Sequence, residues 1–548
     1  MKIVVIGGVA AGAGAAAKAR RTDENAEIII FEQGEYVSFA NCGLPYYVGG
    51  TIPERENLIL VSPEMFKSRY NIDVRLFHKV TSFDPEKKVV RGESPAGPFE
   101  ETYDKLVLAT GGEPVNPPIP GNDLPGVYNV FTVPDVDKIM AALGAGAKKA
   151  VVVGGGFIGL ETADELAQRG VDTTLVEFAP QLLSILDPEF SPPLERHLET
   201  RGVKVRIGVG LSEVKGSGKA EQAVLSDGSV LDTDMVIMAV GVRPRLQLAK
   251  DAGVKMGPAG GIEVDGCMRT NLPDVFAAGD IVESVNLISG KKIRNSLAGT
   301  ANKQGRIAGA NACGRHMTFR GVVGTTIIKT GALCVAKTGM IEKEAKAQER
   351  DYEVVWLPSA SNASYYPTAA TLILKLIYEK STGKILGCQG IGWHGVDKRI
   401  DVIATAIMGG LTVFDLENLD LCYAPPYGSA KDPVILLGMV ASNSLRGEER
   451  LITAQDALVQ AAEDPDTVIL DVRTVEEYEE GHFEGAVNIP LDDLRARMGE
   501  LDKSKKYLVS CWVGGRAWNA CNILSQNGFD AKNVTGGFCA YHMWVDEG

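Results

Sequence analysis

The chain is short of several things at once. Its six histidines are dispersed, and its nine cysteines, at 42, 267, 313, 334, 388, 422, 511, 521 and 539, form no Cys-x-x-Cys pair. Metal-ligand spacings are therefore missing, and no metal is expected. No apolar run reaches the length that crosses a bilayer, so no membrane association is expected. Clustered Lys and Arg are missing as well. The formal charge is -14 and the pI near 5.1, which excludes a chain built to grip nucleic-acid phosphates. The first apolar run begins directly after Lys2, so no secretory leader is expected. A cytoplasmic, reducing location is expected, with most of the thiols acting as small buried hydrophobes.

What is present points to several α/β domains. A length of 548 residues exceeds one hydrophobic core, and the 62 glycines are scattered among apolar runs instead of gathered in low-complexity tracts. Residues 3–6 are apolar, "GGVAAG" follows at 7–12, then an Ala-rich helix, then "IIIFE" ending at Glu32. This is strand, glycine turn, helix, strand, acid. Gly7 permits the tight turn, Gly12 close helix–strand packing, and the helix N-terminus faces a pyrophosphate, with Glu32 on a ribose hydroxyl. Val9 replaces the middle glycine. "VVVGGGFIGLE" at 151–161 repeats the unit with Gly154, Gly156 and Gly159 intact, and "TTLVE" closes it at Glu177. Two dinucleotides are implied. An acid at Glu177 suits NADH and repels the extra phosphate of NADPH, which stays as the alternative reductant because Arg169 and Lys204 are not placed by sequence.

"YDKLVLATGGEP" at 103–114, "VIMAVGVRP" at 236–244 and "TNLPDVFAAGDIVE" at 270–283 resemble the pyridine nucleotide-disulfide oxidoreductases. That resemblance implies FAD on the first loop and NAD(P)H on the second. It carries the FAD contacts onto Gly7, Gly8, Val9, Ala10, Ala11, Gly12, Glu32, Val80, Ala109, Thr110, Gly111, Gly279 and Asp280. The NADH contacts fall on Gly154, Gly156, Phe157, Gly159 and Glu177. Phe157 is read either as a cover over the flavin or as packing.

In "SFANCGLPYY", 38–47, Cys42 has no second cysteine near it. A lone thiol beside a flavin works through a sulfenic acid or through a mixed disulfide with a small molecule. The stretch is similar to the coenzyme A disulfide reductase branch of the family, whose cysteine pairs with CoA. Single-cysteine NADH oxidases and peroxidases carry a His in the first glycine loop, where this chain has Ala10. "NASYYP" at 362–367 and "LCYAPPYGSAKDP" at 421–433 extend the likeness. By it Tyr365 and Tyr423, with Tyr366 and Tyr427 as neighbouring alternatives, reach the partner subunit's site, and Lys18, Arg21, Ser38, Asn41, Asn302 and Lys431 contact CoA. Phenols there would donate to a departing thiolate.

Residues 325–440 are similar to the dimerisation domain of the same family, so a homodimer is implied. The last hundred residues, with "LDVR" (Asp471, Arg473) and "CWVGGR" at 511–516, resemble rhodanese. There Cys511 would carry sulfane sulfur in a loop of backbone N–H groups backed by Arg516. The expected organisation is an FAD-binding domain at 1–112 and 246–322, an NAD(P)H-binding domain at 113–245, an α+β dimerisation domain at 323–440, a linker at 441–450 and an α/β rhodanese domain at 451–548. The expected activity is NADH-dependent reduction of CoA disulfide, CoA persulfide or polysulfide. The alternatives are an NADH oxidase or peroxidase cycling Cys42 through sulfenic acid, and a sulfur-delivery or redox-sensing protein acting on a partner.

Overall fold

The computed structural model describes residues 1–545. Two compact units are present, one of Met1–Pro180 with Leu198–Val322, the other of Gln181–His197 with the chain from Val323 onward.

The first unit repeats one design. Strands Val275–Ala277, Lys105–Leu108, Lys2–Ile6, Glu27–Phe31 and Asp73–Arg75 lie in that order in an all-parallel five-stranded sheet. Strands Val203–Ile207, Asp172–Glu177, Lys149–Val153, Met235–Met238 and Val127–Asn129 form a second parallel sheet of the same size. Each is accompanied by a three-stranded antiparallel sheet. Runs such as Ile3, Val4, Val5 and Ile28, Ile29, Ile30 are apolar without alternation because both faces of the parallel sheet are covered, by helices Ala10–Thr22 and Ala298–Ala312 and by the antiparallel sheet, which brings Phe83, Val90 and Phe99 into the same core. Helix Ala10–Thr22 is pressed onto helix Ala298–Ala312. A Cβ on Gly305 would stand 2.1 Å from the Ala11 carbonyl oxygen, and one on Gly309 2.1 Å from that of Ala15.

In the second unit, strands Thr326–Thr330, Leu333–Gly339, Ile385–Gly392, Thr371–Glu379 and Tyr352–Ala360 make an antiparallel sheet, with helices Val396–Gly409 and Pro433–Leu445 packed on it. Residues 181–197 belong here, although they fall inside the span expected to bind NADH. The fully buried Lys375 holds them, with Nζ 2.9 Å from Asp187, 3.1 Å from Glu189 and 2.7 Å from Glu342. A buried cation this well paired fixes its partners, because removing it would strand their charge. A separate parallel sheet, ordered Leu451–Ile452, Asp530–Val534, Lys506–Ser510, Thr467–Asp471 and Val487–Asn488, carries the C-terminal fold. It rests on Trp356, whose backbone N–H donates to Thr535 Oγ1 at 2.9 Å and whose ring lies 5.1 Å from that of Trp544. Residues 441–445, expected to open the linker, complete helix Pro433–Leu445. Among the described residues no helix is long and apolar enough to cross a membrane.

Candidate active site

Both glycine loops are built as their residue types require. Gly7 and Gly154 adopt positive φ, and a Cβ on either would lie 2.1 or 2.4 Å from the carbonyl oxygen of Ala109 or Ala239. A Cβ on Gly12 or Gly159 would stand 1.8 Å from the carbonyl oxygen of Gly7 or Gly154. The acids sit alike too. Glu32 accepts the N–H of Gly8 and of Gly34, each at 2.8 Å, and Glu177 accepts those of Gly155 and Ala179. Helices Ala10–Thr22 and Phe157–Gln168 start at Val9 and Gly156 with no capping side chain and no acid in the first turn. Their leading N–H groups are thus left for an anion. Nothing lies within 4 Å of a Cβ built on Gly156. The Arg169 guanidinium donates to the Val48 carbonyl at 2.9 Å and Lys204 pairs with Asp172 at 2.6 Å, so both cations are engaged away from Glu177.

Around the first loop, Ala109, Thr110 and Gly111 follow strand Lys105–Leu108, and Thr110 Oγ1 donates to the Arg245 carbonyl at 2.8 Å. Val80 lies on strand Lys79–Asp84. Gly279 is fixed by its N–H donating to Gln304 at 2.9 Å. The neighbouring Asp280 is part-buried, bonds no other described residue, and is pushed above the usual carboxylate range by burial. A Cβ on Gly279 would stand 2.9 Å from that of Ala11, so Asp280 is a carboxylate left unpartnered beside the helix of the first glycine loop, which fits a flavin dinucleotide whose hydroxyls would bond it.

Cys42 lies in the single turn Asn41–Gly43, exposed, with its N–H donating to Asn41 Oδ1 at 3.1 Å. It borders a cavity of about 370 Å³ lined by Ala10, Ala13, Gly14 and Ala17 on one side and by Ser38, Asn41, Tyr70 and Asn302 on others. The four small residues recur at helical spacing along one face, so they leave a groove where larger side chains would fill it. Lys18 and Arg21 continue that helix, and the Arg21 guanidinium sits 5.5 Å from the centre of the Tyr70 ring. Ser38, Asn41, Cys42 and Asn302 are thus brought to one cavity, with the two cations further along its helix.

Burial pushes the Cys42 thiol up, and the carboxylates of Glu161 and Asp280 push it the same way. Glu161 was not singled out from the sequence. It is one turn beyond Phe157 on the same helix, accepts the Tyr46 hydroxyl at 2.9 Å, and is itself raised by burial. One turn further, Glu165 accepts the Thr51 hydroxyl at 2.8 Å, so the helix of the second glycine loop is keyed to the segment after Cys42. The readable signal was the i, i+4, i+8 spacing of Phe157, Glu161 and Glu165.

In the second unit, the neighbouring Tyr423 hydroxyl raises Tyr365, and both rings are exposed. Buried Arg399 sets their loops by donating to the Ser361 carbonyl at 2.7 Å and to Asp432 at 2.9 Å. Tyr427 and Lys431 are exposed nearby in sequence, as is Cys422; of the nine thiols only Cys267, Cys388, Cys511 and Cys521 are buried, where most were expected to be.

Cys511 is 1% exposed at the end of strand Lys506–Ser510, and the Gly514 N–H donates to its Sγ at 3.1 Å. Gly514 holds φ at +107° to aim that bond. Arg516, expected behind the loop as a sulfur contact, is bound at both terminal nitrogens by Glu477, each at 2.6 Å. Asp471 and Arg473 form a buried pair at 2.7 Å, with the guanidinium 4.6 Å from the Phe538 ring centre.

Three family models match the chain: pyridine nucleotide-disulphide oxidoreductase over residues 1–305, the dimerisation domain of the same family over 325–433, and a rhodanese-like domain over 454–543. Among solved structures, reduced CoADR-RHD of Bacillus anthracis is 40% identical with a TM-score of 0.96, covering 99% of this chain and 98% of its own. A NAD-dependent persulfide reductase from A. fulgidus is 40% identical with a TM-score of 0.92, covering 99% and 100%. Among curated relatives, the NADH oxidase of Methanocaldococcus jannaschii is 36% identical, covering 81% of this chain and 99% of its own. The CoA-dependent NAD(P)H sulfur oxidoreductase of Pyrococcus furiosus is 35% identical, covering 80% and 98%. The coenzyme A disulfide reductase of Staphylococcus epidermidis is 32% identical, covering 80% and 99%.

Proposed function

The chain belongs to the pyridine nucleotide-disulphide oxidoreductases, and from that premise we propose that it reduces CoA disulfide, CoA persulfide or polysulfide with NADH, through Cys42 and with Cys511 as a carrier of sulfane sulfur. The observation that carries this is Cys42, unpaired and exposed, at the edge of a groove floored by small residues, with Lys18 and Arg21 further along the same helix. A pantetheine arm suits the apolar groove and CoA phosphates suit the cations. The relatives named for CoA-dependent sulfur reduction and CoA disulfide reduction support the same substrate class.

FAD would be held by the first glycine loop, Glu32 and Asp280, and NADH by the second with Glu177. Bound FAD supplies the two-electron link between nicotinamide and sulfur. The protein's own part is to bind and orient. The Cys42 thiolate attacks one sulfur of CoA disulfide, the S–S bond breaks, and CoA thiolate leaves, to be protonated by a tyrosine hydroxyl or by water. Two electrons from NADH then break the Cys42–CoA disulfide and restore both thiols. The sum is CoA disulfide, NADH and a proton giving two CoA thiols and NAD+. With CoA persulfide the products are CoA thiol, hydrogen sulfide and NAD+. In this reading the chain is a homodimer, with Tyr365, Tyr423 and Lys431 serving the partner's thiol. Nine free cysteines suit a reducing, cytoplasmic setting.

The test is a steady-state comparison of the three sulfur substrates, with NADH and with NADPH, on the parent and on Cys42→Ser. Activity with none of them, or undiminished in Cys42→Ser, overturns the reading. The relative named NADH oxidase favours a second reading, in which oxygen is the acceptor. NADH consumption under air without any disulfide, as fast as with CoA disulfide, would select it.

A further inference from the structure

Residues 446–450, between the dimerisation helix and the last domain, include one side chain that does not belong on a tether. Glu449 is 5% exposed, and its carboxylate accepts the Asn533 side-chain N–H at 2.6 Å. The same amide nitrogen donates to the Gly514 carbonyl at 3.2 Å, and Gly514 is the residue whose N–H donates to Cys511 Sγ. Asn533 is itself buried, and its Oδ1 has no partner, so its orientation rests on the two acceptors its nitrogen serves. Its backbone is tied in as well, because the Asn533 N–H donates to the Arg450 carbonyl at 2.8 Å.

We propose that Glu449 is a positioning residue for sulfur transfer: through Asn533 it clamps Gly514 by its carbonyl and so aims the Gly514 N–H at the sulfur on Cys511. An N–H fixed on the sulfur stabilises negative charge as the thiolate forms, whereas one free to turn away would have to be reoriented in each cycle. The connecting segment is thereby part of the sulfur site. The inference rests on Cys511 being the sulfur carrier.

The groups facing Glu449 are Asn443 at the end of helix Pro433–Leu445, Glu353 on strand Tyr352–Ala360, Tyr378 on strand Thr371–Glu379 and Cys521 on helix Gly515–Gln526, with Arg450 adjacent in the chain. None of these places a cation directly on the carboxylate. Burial accordingly pushes Glu449 up to about 7.

The experiment uses the full-length holoenzyme and measures sulfur transfer from thiosulfate to cyanide against pH, alongside NADH-dependent reduction of CoA disulfide. Glu449→Leu, which removes the acceptor, should lose about tenfold in kcat for sulfur transfer with KM little changed, while CoA disulfide reduction stays at the parental rate. Glu449→Gln retains an acceptor oxygen and should stay within about twofold of the parent. The parent should show a rise in kcat through neutral pH, as the ionised carboxylate tightens its hold, that the Gln variant lacks. A folded Leu variant with parental transfer overturns the inference. Should that variant not fold, identical pH profiles for the parent and Glu449→Gln overturn it. Cys511→Ser separates the premise: transfer that survives this change refutes the carrier role itself, whereas loss there with no effect at Glu449 refutes only the clamp.

Discussion

Cys42 and Cys511 are both unpaired thiols in short glycine-containing segments, yet their surroundings are opposite. Cys42 is exposed on a groove, and the side chain nearest its sulfur by hydrogen bond is Asn41, at 3.9 Å. Cys511 is sealed from solvent with a backbone N–H on its sulfur, while Trp512, Val513 and Trp518 stand exposed around it. The carboxylates Glu161 and Asp280 push Cys42 toward the thiol form. The difference separates two tasks. A sulfur that must form a disulfide with a bulky partner needs room for that partner to reach it. A sulfur that stores another sulfur needs a fixed dipole and little water.

The widest separation between the sites should come from exchanging each sulfur for oxygen. Cys42→Ser is expected to lower NADH-dependent reduction of CoA disulfide at least ~1000-fold while leaving thiosulfate–cyanide transfer intact, and Cys511→Ser to do the reverse. Loss of both activities in either variant would mean that the two thiols act as one centre. Next in size is the tyrosine pair. Removing the hydroxyls in Tyr365→Phe/Tyr423→Phe should cost about 100-fold in kcat for CoA disulfide, the low end of what a general acid contributes because water can also protonate the leaving thiolate, and nothing in sulfur transfer. Equal kcat in the double variant would leave the pair a packing role alone. Smaller again, Lys18→Ala/Arg21→Ala should raise KM for CoA disulfide by about tenfold and leave kcat and the KM for a small organic disulfide unchanged, because the cations bear on phosphates remote from the sulfur.

What could be read from the sequence follows the range of the interactions. The glycine loops and their acids are local demands, so Gly7, Gly154, Glu32 and Glu177 could be placed from spacing, and the structure gives the two turns the same geometry. The groove beside Cys42 was legible only as residue names. Its shape depends on helix Ala10–Thr22 meeting a second helix almost 300 residues later, at Gly305 and Gly309. Glu161 and Tyr46 bond across 115 positions, which no periodicity announces. Residues 181–197 join the second unit because one buried lysine, Lys375, collects three carboxylates, and pairing over that range has no sequence signature. Arg516 could be named but its partner Glu477 could not. The segment 441–450 reads as polar linker by composition, and only tertiary packing buries Glu449.

The smallest expected effect bears on the segment that joins helix Pro433–Leu445 to the C-terminal parallel sheet. Glu449 has its carboxyl raised by burial from an ordinary 4.5 to about 7, so between those values the folded chain holds a proton that the unfolded chain has released. Stability from this group is therefore full below about pH 4.5 and is lost as pH rises through neutrality. Glutamine keeps the acceptor without the charge, so Glu449→Gln should unfold at the parental temperature near pH 5 and at a higher one near pH 8. The gain is bounded by roughly 3 kcal/mol, the full cost of ionising the buried carboxyl. Thermal unfolding of the full chain at the two pH values measures it. A stabilised Gln variant near pH 8 that also loses the neutral-pH rise in sulfur transfer would show one ionisation opposing the fold while it serves the Cys511 loop. A difference between variant and parent that is the same at both pH values would mean that Glu449 is not the group that titrates, and the asymmetry between the open thiol and the clamped one would then rest on backbone geometry alone.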